Sequence, residues 1–443
     1  MNSIIGLAHT SAQTFPDHEI WVGDERITHA GLDALGARYA TQFKTGDRVL
    51  LAAPVSMRWL GAYLGILRAG AVAALANPAC TKAELDQLID AAEPHIVLRK
   101  VEPPDAEPEP WIERTEPDDV AVLAFTSGTT GKPKGVPLTH RNLVSSIRGA
   151  MQVWGWSADD VLVHALPLFH QHGLGGLHAT LIAGSSLHLL ARFDPVELPR
   201  EIERSRATVL FAVPTMYQRL SGLSKNNNLR LCVSGSAPLS PSVAEHAREV
   251  LGQTPLVRYG TTESGLDTSQ PLNERYPGTV GVPLPSVDLR LGDDGEIQLR
   301  GPQVFGGYWR EPEATAAAFT PDGWFRTGDV GHIDEATGHL VIDGRIKEMI
   351  ITGGMKVYPR EVELALERHP DVVEAAVTGV ASERWGEQVT AWVVIKPGAT
   401  FDAAALIAHT GDQLAPYKRP KEIRRVDALP RNHVGKIDRR QLR

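Results

Sequence analysis

The sequence predicts an α/β protein: a large N-terminal domain of parallel-sheet α/β subdomains, then a β-rich subdomain, then a small α+β C-terminal domain. Three observations carry this. Over roughly the first 100 residues, helical and strand periodicities alternate, the pattern of strand–helix–strand crossovers. From about residue 279 the texture changes to short strands punctuated by Gly and Pro. After "GRIKEMI" (344–350) a compact unit of one helix and two strands follows.

The elements can be justified in order. "THAGLDALGARYATQF" sets apolar residues at helical intervals behind Thr28, whose hydroxyl suits a first-turn cap, and "DRVLLAAP" is a short apolar run of the buried-strand kind. "LGAYLGILRAGAVAALANPA" is the most apolar stretch, yet Arg68 and three glycines interrupt it. It reads as a buried helix turning into a strand and not as a membrane span. "ELDQLIDAAEP" and "HIVLRK" repeat helix and strand, and the Pro- and Glu-rich "VEPPDAEPEPWIERTEPDD" is a surface connection. "VAVLAF" is a strand delivering a glycine loop, and "THRNLVSSIRGAMQVW" is the helix after it. "ATVLFAVPTMYQRL" and "LRLCVSGSAPLS" again run from strand to loop. "VDLRLGDDGEIQLRG" and "GHLVIDGR" are strands of the β-rich part. "YPREVELALERHP", "VVEAAVTGV" and "QVTAWVVIKPG" make the terminal α+β unit.

At 443 residues the chain is too long for one ordinary core, which predicts two or three domains. A hydrophobic share of 42% with 22% charged residues is the balance of a soluble globular protein. The net charge of −8 excludes a nonspecific nucleic-acid binder, which needs a cationic surface. Cys80 and Cys232 stand too far apart for a metal spacing or a disulfide framework, in keeping with a reducing compartment. The N-terminus lacks the charged start and apolar core of a signal peptide. The expectation is a cytoplasmic protein with neither a membrane nor a nucleic acid as partner.

Residues 125–136, "FTSGTTGKPKGV", concentrate glycines, hydroxyls and lysines. Backbone N–H groups of such a loop can wrap an anion, hydroxyls add donors, and lysine adds charge. The nucleotide P-loop does not fit. Gly128 and Gly131 are too close, and Pro133 follows Lys132 where a magnesium-binding hydroxyl would stand.

With its neighbours this loop closely resembles the phosphate loop of the acyl-adenylate-forming superfamily, which includes acyl-CoA synthetases, luciferases and peptide-synthetase adenylation domains. Further motifs follow in the expected order: "PLFHQHGL" (167–174), "SGSAPL" (234–239), "RYGTTES" (258–264), "WFRTGD" (324–329), "GRIKEMI" and "PRNHVGKI" (430–437). The resemblance covers almost the whole chain and implies an AMP-forming acid–thiol ligase. A carboxylate attacks the α-phosphorus of ATP, pyrophosphate leaves, and a thiol, usually coenzyme A, displaces AMP. It implies ATP, Mg²⁺ and coenzyme A as cofactors and co-substrates, an N-terminal adenylation domain over residues 1–346, and a mobile lid domain over 347–443.

The resemblance also assigns roles. Thr126, Ser127, Gly128, Thr129, Thr130 and Lys134 would hold the β- and γ-phosphates. Ser234, Gly235, Ser236 and Ala237 would lie on the adenine side, and Tyr259, followed by Gly260, would give adenine a flat face. Asp329, assisted by Arg345, would accept bonds from the ribose hydroxyls. Thr262 would bond the α-phosphate and Glu263 would ligate Mg²⁺, a hard cation that takes carboxylate oxygen. Lys436 would be the catalytic lysine, bridging the acid and the α-phosphate, while Arg439 and Arg440 are read as solvated. Lys347 stands at the hinge position, and Gly354 in "TGGMKVYP" would leave room for a pantetheine arm.

Several stretches look like the malonyl-CoA synthetase branch. A second carboxylate needs a buried cation. Arg258 matches one arginine of that branch. The other belongs immediately ahead of the Gly-Thr-Val-Gly run and its leading Pro or Ala. Here Tyr276 occupies that place and Arg275 lies one residue earlier, facing the opposite way in an extended segment. His170 and His172 would wall the acyl pocket or gate it, and no third ligand supports a metal there. Gly235 and Gly260 would line the pocket. The expected partners are a small carboxylic acid, malonate or methylmalonate first, and CoA. A carrier protein, a non-thiol nucleophile, or a monocarboxylic or aromatic acid remain the alternatives.

Overall fold

The computed structural model describes residues 3–127, 133–224, 227–431 and 437–442. Two largely parallel sheets form the first two-thirds of the chain. One has five strands in the order Ile96–Leu98, Arg48–Leu51, Val72–Leu75, Val120–Ser127 and Pro133–Thr139. All its pairings are parallel except the last, an antiparallel hairpin. The strand Pro133–Thr139 was not foreseen, because a run with two prolines and a glycine has little strand character by itself. It is held by the ladder to the apolar strand before it.

The second sheet has nine strands. Its parallel centre runs Leu256–Tyr259, Leu231–Ser234, Val209–Ala212, Val161–His164, Ser186–Leu189 and Glu19–Val22. The chain adds strands on one side of Val161–His164 and then on the other, so the winding reverses between that strand and Val209–Ala212. Crevices at the carboxyl ends beside such a reversal are where open α/β sheets take ligands.

The local signals mostly hold. Thr28 accepts a bond from the Gly31 N–H at the start of helix His29–Ala40. Thr139 and Asn142 form a reciprocal cap on helix His140–Trp154, and Gly155 ends it in the left-handed conformation. The apolar stretch divides into helix Met57–Arg68 and strand Val72–Leu75, with Arg68 paired to Asp33 at 3.2 Å. Among the described residues no helix is long and apolar enough to cross a membrane.

An antiparallel four-stranded sheet follows, Asp288–Leu291, Glu296–Arg300, Phe325–Ile333 and Leu340–Arg345, and is the expected β-rich part. The last sheet is built from Met355–Val357, Ile350–Thr352, Gly386–Ile395, Val372–Ser382 and Glu422–Arg425, with helix Pro359–Glu367 packed on it. The main core extends from Ile4 to Leu340, and the cores of the terminal unit begin at Ile350. Between them lies the short helical turn Ile346–Glu348.

Candidate active site

Three motif loops leave strands of the nine-stranded sheet at their carboxyl ends: residues 235–239 after Ser234 and 260–264 after Tyr259, on adjacent strands, and 165–170 after His164, one strand farther along beyond Val209–Ala212. Two glycines are demanded by close approach. A side chain on Gly260 would put its Cβ 2.0 Å from the Gly265 carbonyl oxygen, because residues 261–265 fold back into a turn closed by Gly265 N–H to Thr261 O at 2.9 Å. A Cβ on Gly235 would stand 2.6 Å from Arg258 Nε. Gly260 is thus required by the backbone beside it, and Gly235 by the arginine and by His172, 3.1 Å away.

One end of the site is anionic. Asp329, only 2% exposed, accepts the Tyr259 hydroxyl on Oδ2 at 2.7 Å and Arg345 Nε on Oδ1 at 2.8 Å. Burial and then the Asp329 charge push the Tyr259 phenol well above its usual range, so it stays a neutral donor. The Asp329 charge raises Arg345 as well.

Next to it is the hairpin carrying the glycine loop, with Thr126 opposite Lys134 and Ser127 opposite Pro133. Lys134 Nζ stands 5.1 Å from the centre of the Tyr308 ring, and the Tyr308 hydroxyl donates to Glu263 Oε1 at 2.9 Å. Phe305 N–H bonds the Glu263 carbonyl at 2.8 Å, and Trp309 N–H bonds that of Gly135 at 2.9 Å. The segment around Tyr308 therefore joins the hairpin to the Glu263 turn. Tyr308 escaped the sequence reading, though "GGYW" was a visible signal. Thr262 lies half-buried on the same turn. Gly128, Thr129, Thr130, Lys436 and the Ser127 side chain lie outside the described residues.

The inner end is polar and buried. Arg258 is 6% exposed, and among the described residues its guanidinium has neither a hydrogen bond nor an ion pair within 4 Å. Burial pushes it down to about 10, against the opposing pull of Asp267. Asp267 is itself pushed up to about 6 by burial, though it accepts the Ser264 hydroxyl at 2.5 Å and the Gln303 amide at 3.3 Å. His172 is buried beside Phe211, its ring held well below the usual range by burial and then by the Arg258 charge. Its Nδ1 lies 3.4 Å from Ser236 Oγ. Ser236 has φ +68°, a left-handed conformation that costs a side-chain-bearing residue of order 1–2 kcal/mol and concentrates at functional sites. Ser234 Oγ is buried without a partner among the described residues, and Ala237 is half-buried beside this loop. His170 caps helix Gln171–Ala183, its ring 4.5 Å from that of Phe169. A cavity of about 20 Å³ opens beside Arg258, lined also by Gln171, Gln303, Gly175, Leu143 and Leu266.

Some expectations are redirected. Arg275 is engaged by the carbonyls of Thr254, Pro271, Leu272 and Glu274 at 2.8–2.9 Å, which leaves its guanidinium serving the local fold. Tyr276 packs edge-on against His339 at 4.7 Å. Gly353 and Gly354, at φ +56° and +80°, form the two-residue turn of the hairpin Ile350–Val357, so their glycines follow from the turn itself. Arg439, read as solvated, bonds Glu363 at 2.5 Å and Glu348 at 3.2 Å, whereas Arg440 is exposed as expected.

The sequence profile of the AMP-binding enzyme family matches residues 8–309, and that of the AMP-binding enzyme C-terminal domain matches residues 361–436. The chain belongs to the AMP-binding enzyme family. It is 36% identical to the 3-[(3aS,4S,7aS)-7a-methyl-1,5-dioxo-octahydro-1H-inden-4-yl]propanoyl:CoA ligase of Mycobacterium tuberculosis, over 97% of this chain and 96% of that protein. It is 37% identical to the mitochondrial malonate–CoA ligase of Homo sapiens, over 73% of this chain and 65% of that protein. The ATP-bound crystal structure of MatB from Rhodopseudomonas palustris is 38% identical and has a TM-score of 0.91, covering 98% of each chain. This AMP-binding enzyme is an acid–thiol ligase with the α/β fold of its family.

Proposed function

We propose that this AMP-binding enzyme activates a small carboxylic acid as its acyl adenylate, releasing pyrophosphate, and passes the acyl group to coenzyme A, with malonate or methylmalonate the leading acid. The observation that carries the choice of acid is Arg258, a buried cation whose guanidinium has no ion pair within 4 Å among the described residues, Asp267 acting on it only from farther off. Such a charge is costly unless a ligand supplies the missing anion. A small space beside it, about 20 Å³, suits a carboxyl-sized group, which favours a short dicarboxylate.

The residues divide the work by charge. Lys134, with Thr126, Ser127, Gly128, Thr129 and Thr130, would hold the β- and γ-phosphates. Asp329 would exchange its Tyr259 and Arg345 partners for ribose hydroxyls, freeing the Tyr259 ring to lie against adenine beside residues 234–237. Thr262 would donate to the α-phosphate. Lys436 would bring its ammonium to the oxygen on which charge develops, the kind of preorganised stabilisation that dominates such reactions. His170, at the mouth of the helix, would face the incoming carboxylate.

Mg²⁺, when bound, neutralises phosphate oxygens. The residues fit it: Glu263 keeps Oε2 clear of Tyr308, and among the described residues no cluster of three or more His, Cys, Asp or Glu exists. A single carboxylate plus phosphates and water is the usual set for this ion. Glu263 would hold it.

The same reading sets the domain boundary at 346/347, in the turn between the two cores, with Lys347 as pivot for a rotation that withdraws Lys436 and brings the 353–354 turn toward the thiol. The test is acid-dependent pyrophosphate release across a panel of acids, followed by thioester detection with CoA and with carrier protein. AMP formation with malonate and CoA is expected. ADP as product, or no acid dependence at all, refutes the proposal.

A further inference from the structure

Lys134 and Glu263 carry opposite charges at the same end of the site. Both are half-buried, yet among the described residues no ion pair joins them. Tyr308 contacts both: the Lys134 ammonium lies 5.1 Å from the centre of its ring, and its hydroxyl donates to Glu263 Oε1 at 2.9 Å. Arg345, another cation whose charge reaches Glu263, is already held by Asp329 at 2.8 Å.

The segment that presents Tyr308 is fixed along its length. Phe305 packs edge-on against the Tyr308 ring at 4.9 Å, and the Tyr308 N–H donates to Thr315 Oγ1 at 2.9 Å. A Cβ on Gly307, at φ +142°, would stand 2.4 Å from Thr315 Cγ2. The guanidinium groups of Arg48 and Arg310 lie 5.5 and 5.6 Å from the centre of the Trp309 ring. Arg310 and Glu93 are both left-handed, at φ +56° and +44°, and they form an ion pair with each other although 217 residues apart. Such backbone is unfavourable at residues with side chains and persists where the surroundings over-determine it.

We propose that Tyr308 is a positioning residue of the phosphate end: it holds Lys134 and Glu263 apart, so that neither neutralises the other before the nucleotide arrives. Opposite charges at this burial attract strongly enough to pair when nothing intervenes. The ring face offers the ammonium a weaker partner, and the hydroxyl occupies Glu263 Oε1 while Oε2 stays open. Lys134 is thereby kept for phosphate oxygens and Glu263 for the metal. The inference rests on the phosphate and metal roles given to these two residues above.

The test is equilibrium binding of ATP in EDTA by calorimetry, which follows Lys134 without the metal or the chemistry. Tyr308→Leu removes the spacer and should weaken metal-free ATP about 5-fold, the size of one partly exposed ion pair that must first break. Tyr308→Phe keeps the ring and should bind within about 2-fold of wild type. Glu263→Gln should improve metal-free binding about 2-fold in the wild-type background, where it only relieves repulsion of phosphate. In Tyr308→Leu it should improve binding about 10-fold, because it also frees Lys134. Should leucine lower the melting temperature, Tyr308→Met removes the ring at similar length and carries the same expectation. Equal gains from Glu263→Gln in the two backgrounds overturn the proposal, as does a ring-less variant that binds metal-free ATP like wild type. Wild-type protein that binds no ATP, with or without Mg²⁺, removes the parent reading and this one with it.

Discussion

Replacing Arg258 with methionine separates what this residue does for stability from what it does for catalysis. Methionine keeps the length and apolar stem but removes the charge. Burial pushes the guanidinium well below its ordinary range, down to about 10. At about 1.4 kcal/mol per factor of ten in proton affinity, roughly 3 kcal/mol opposes keeping it charged inside the fold. Because the folded pKa lies below the unfolded one, this penalty is complete at neutral pH and fades only as the pH climbs above about 10 toward the ordinary range of a free arginine. The methionine variant should therefore melt higher. For a large domain of roughly 340 residues, an unfolding entropy near 2.1 cal/mol/K per residue converts 3 kcal/mol into about 4 °C. The same change deletes charge-assisted bonds to a far carboxylate, so kcat/KM for malonate should fall roughly 100-fold while acetate is spared. Differential scanning fluorimetry and pyrophosphate release read the two effects on one sample. Gain of stability with loss of activity is the trade-off of a functional charge. A variant that melts several degrees lower, or that still prefers malonate, would refute the reasoning.

Three other perturbations follow from the geometry. His140 and His164 are held at about 4 and His178 at about 3, all by burial, so the unfolded chain takes up protons below pH 6.5 that the fold refuses. Each should remove about 1.4 kcal/mol per pH unit from pH 6.5 down to about 4, and urea melts at stepped pH that stayed flat over this window would contradict the burial of these rings. Asp329→Ala strips the Tyr259 hydroxyl and Arg345 of their shared acceptor and should raise KM for ATP by about 30-fold, the loss of one to two charge-assisted bonds, with KM for the acid changed far less. Gly260→Ala forces a methyl to within 2.0 Å of a backbone carbonyl and should cost roughly 3 kcal/mol. Gly354→Ala, with nothing within 4 Å of the new methyl, should cost only about 1 kcal/mol for its left-handed backbone, and equal losses in the two variants would refute the contrast.

The loop after Ser234 was legible because "LRLCVSGSAPLS" is a short apolar run that breaks into Gly, Ser and Pro, the signature of a buried strand reaching the end of its sheet, whereas the loops after His164 and Tyr259 were marked by their motifs and the strands before them were not read. That the three strands lie near one another was not legible, since their order depends on a winding reversal that no local pattern encodes. Strand Pro133–Thr139 was hidden by its prolines. Tyr308, 45 residues beyond Glu263, became part of the site only through tertiary packing. Arg275 shows the opposite failure. Its sequence position was suggestive, yet four carbonyls from residues 254–274 claim it. Arg439 looked like one of a solvated basic pair, and its partner Glu363 is supplied by a helix 76 residues away.

The electrostatics of the inner end make one more demand. His172 lies against Gly235 and Ser236 next to Arg258, and a protonated ring there would add a second cation to the pocket. Burial, then Arg258 itself, then His164 hold it neutral well below its ordinary range. Among the described residues of the pocket, the charge that then changes on the alkaline side is that of Arg258, at about 10. The ratio of kcat/KM for malonate to that for acetate cancels ionisations common to both acids, such as those of the nucleotide site. That ratio should be level from pH 7 to 9 and decline as the pH approaches 10, where Arg258 begins to lose its proton and the far carboxylate its partner. Stopped-time pyrophosphate assays on both acids across this range measure it directly. A break between pH 7 and 8 would mean that a histidine, and not the arginine, receives the second carboxylate.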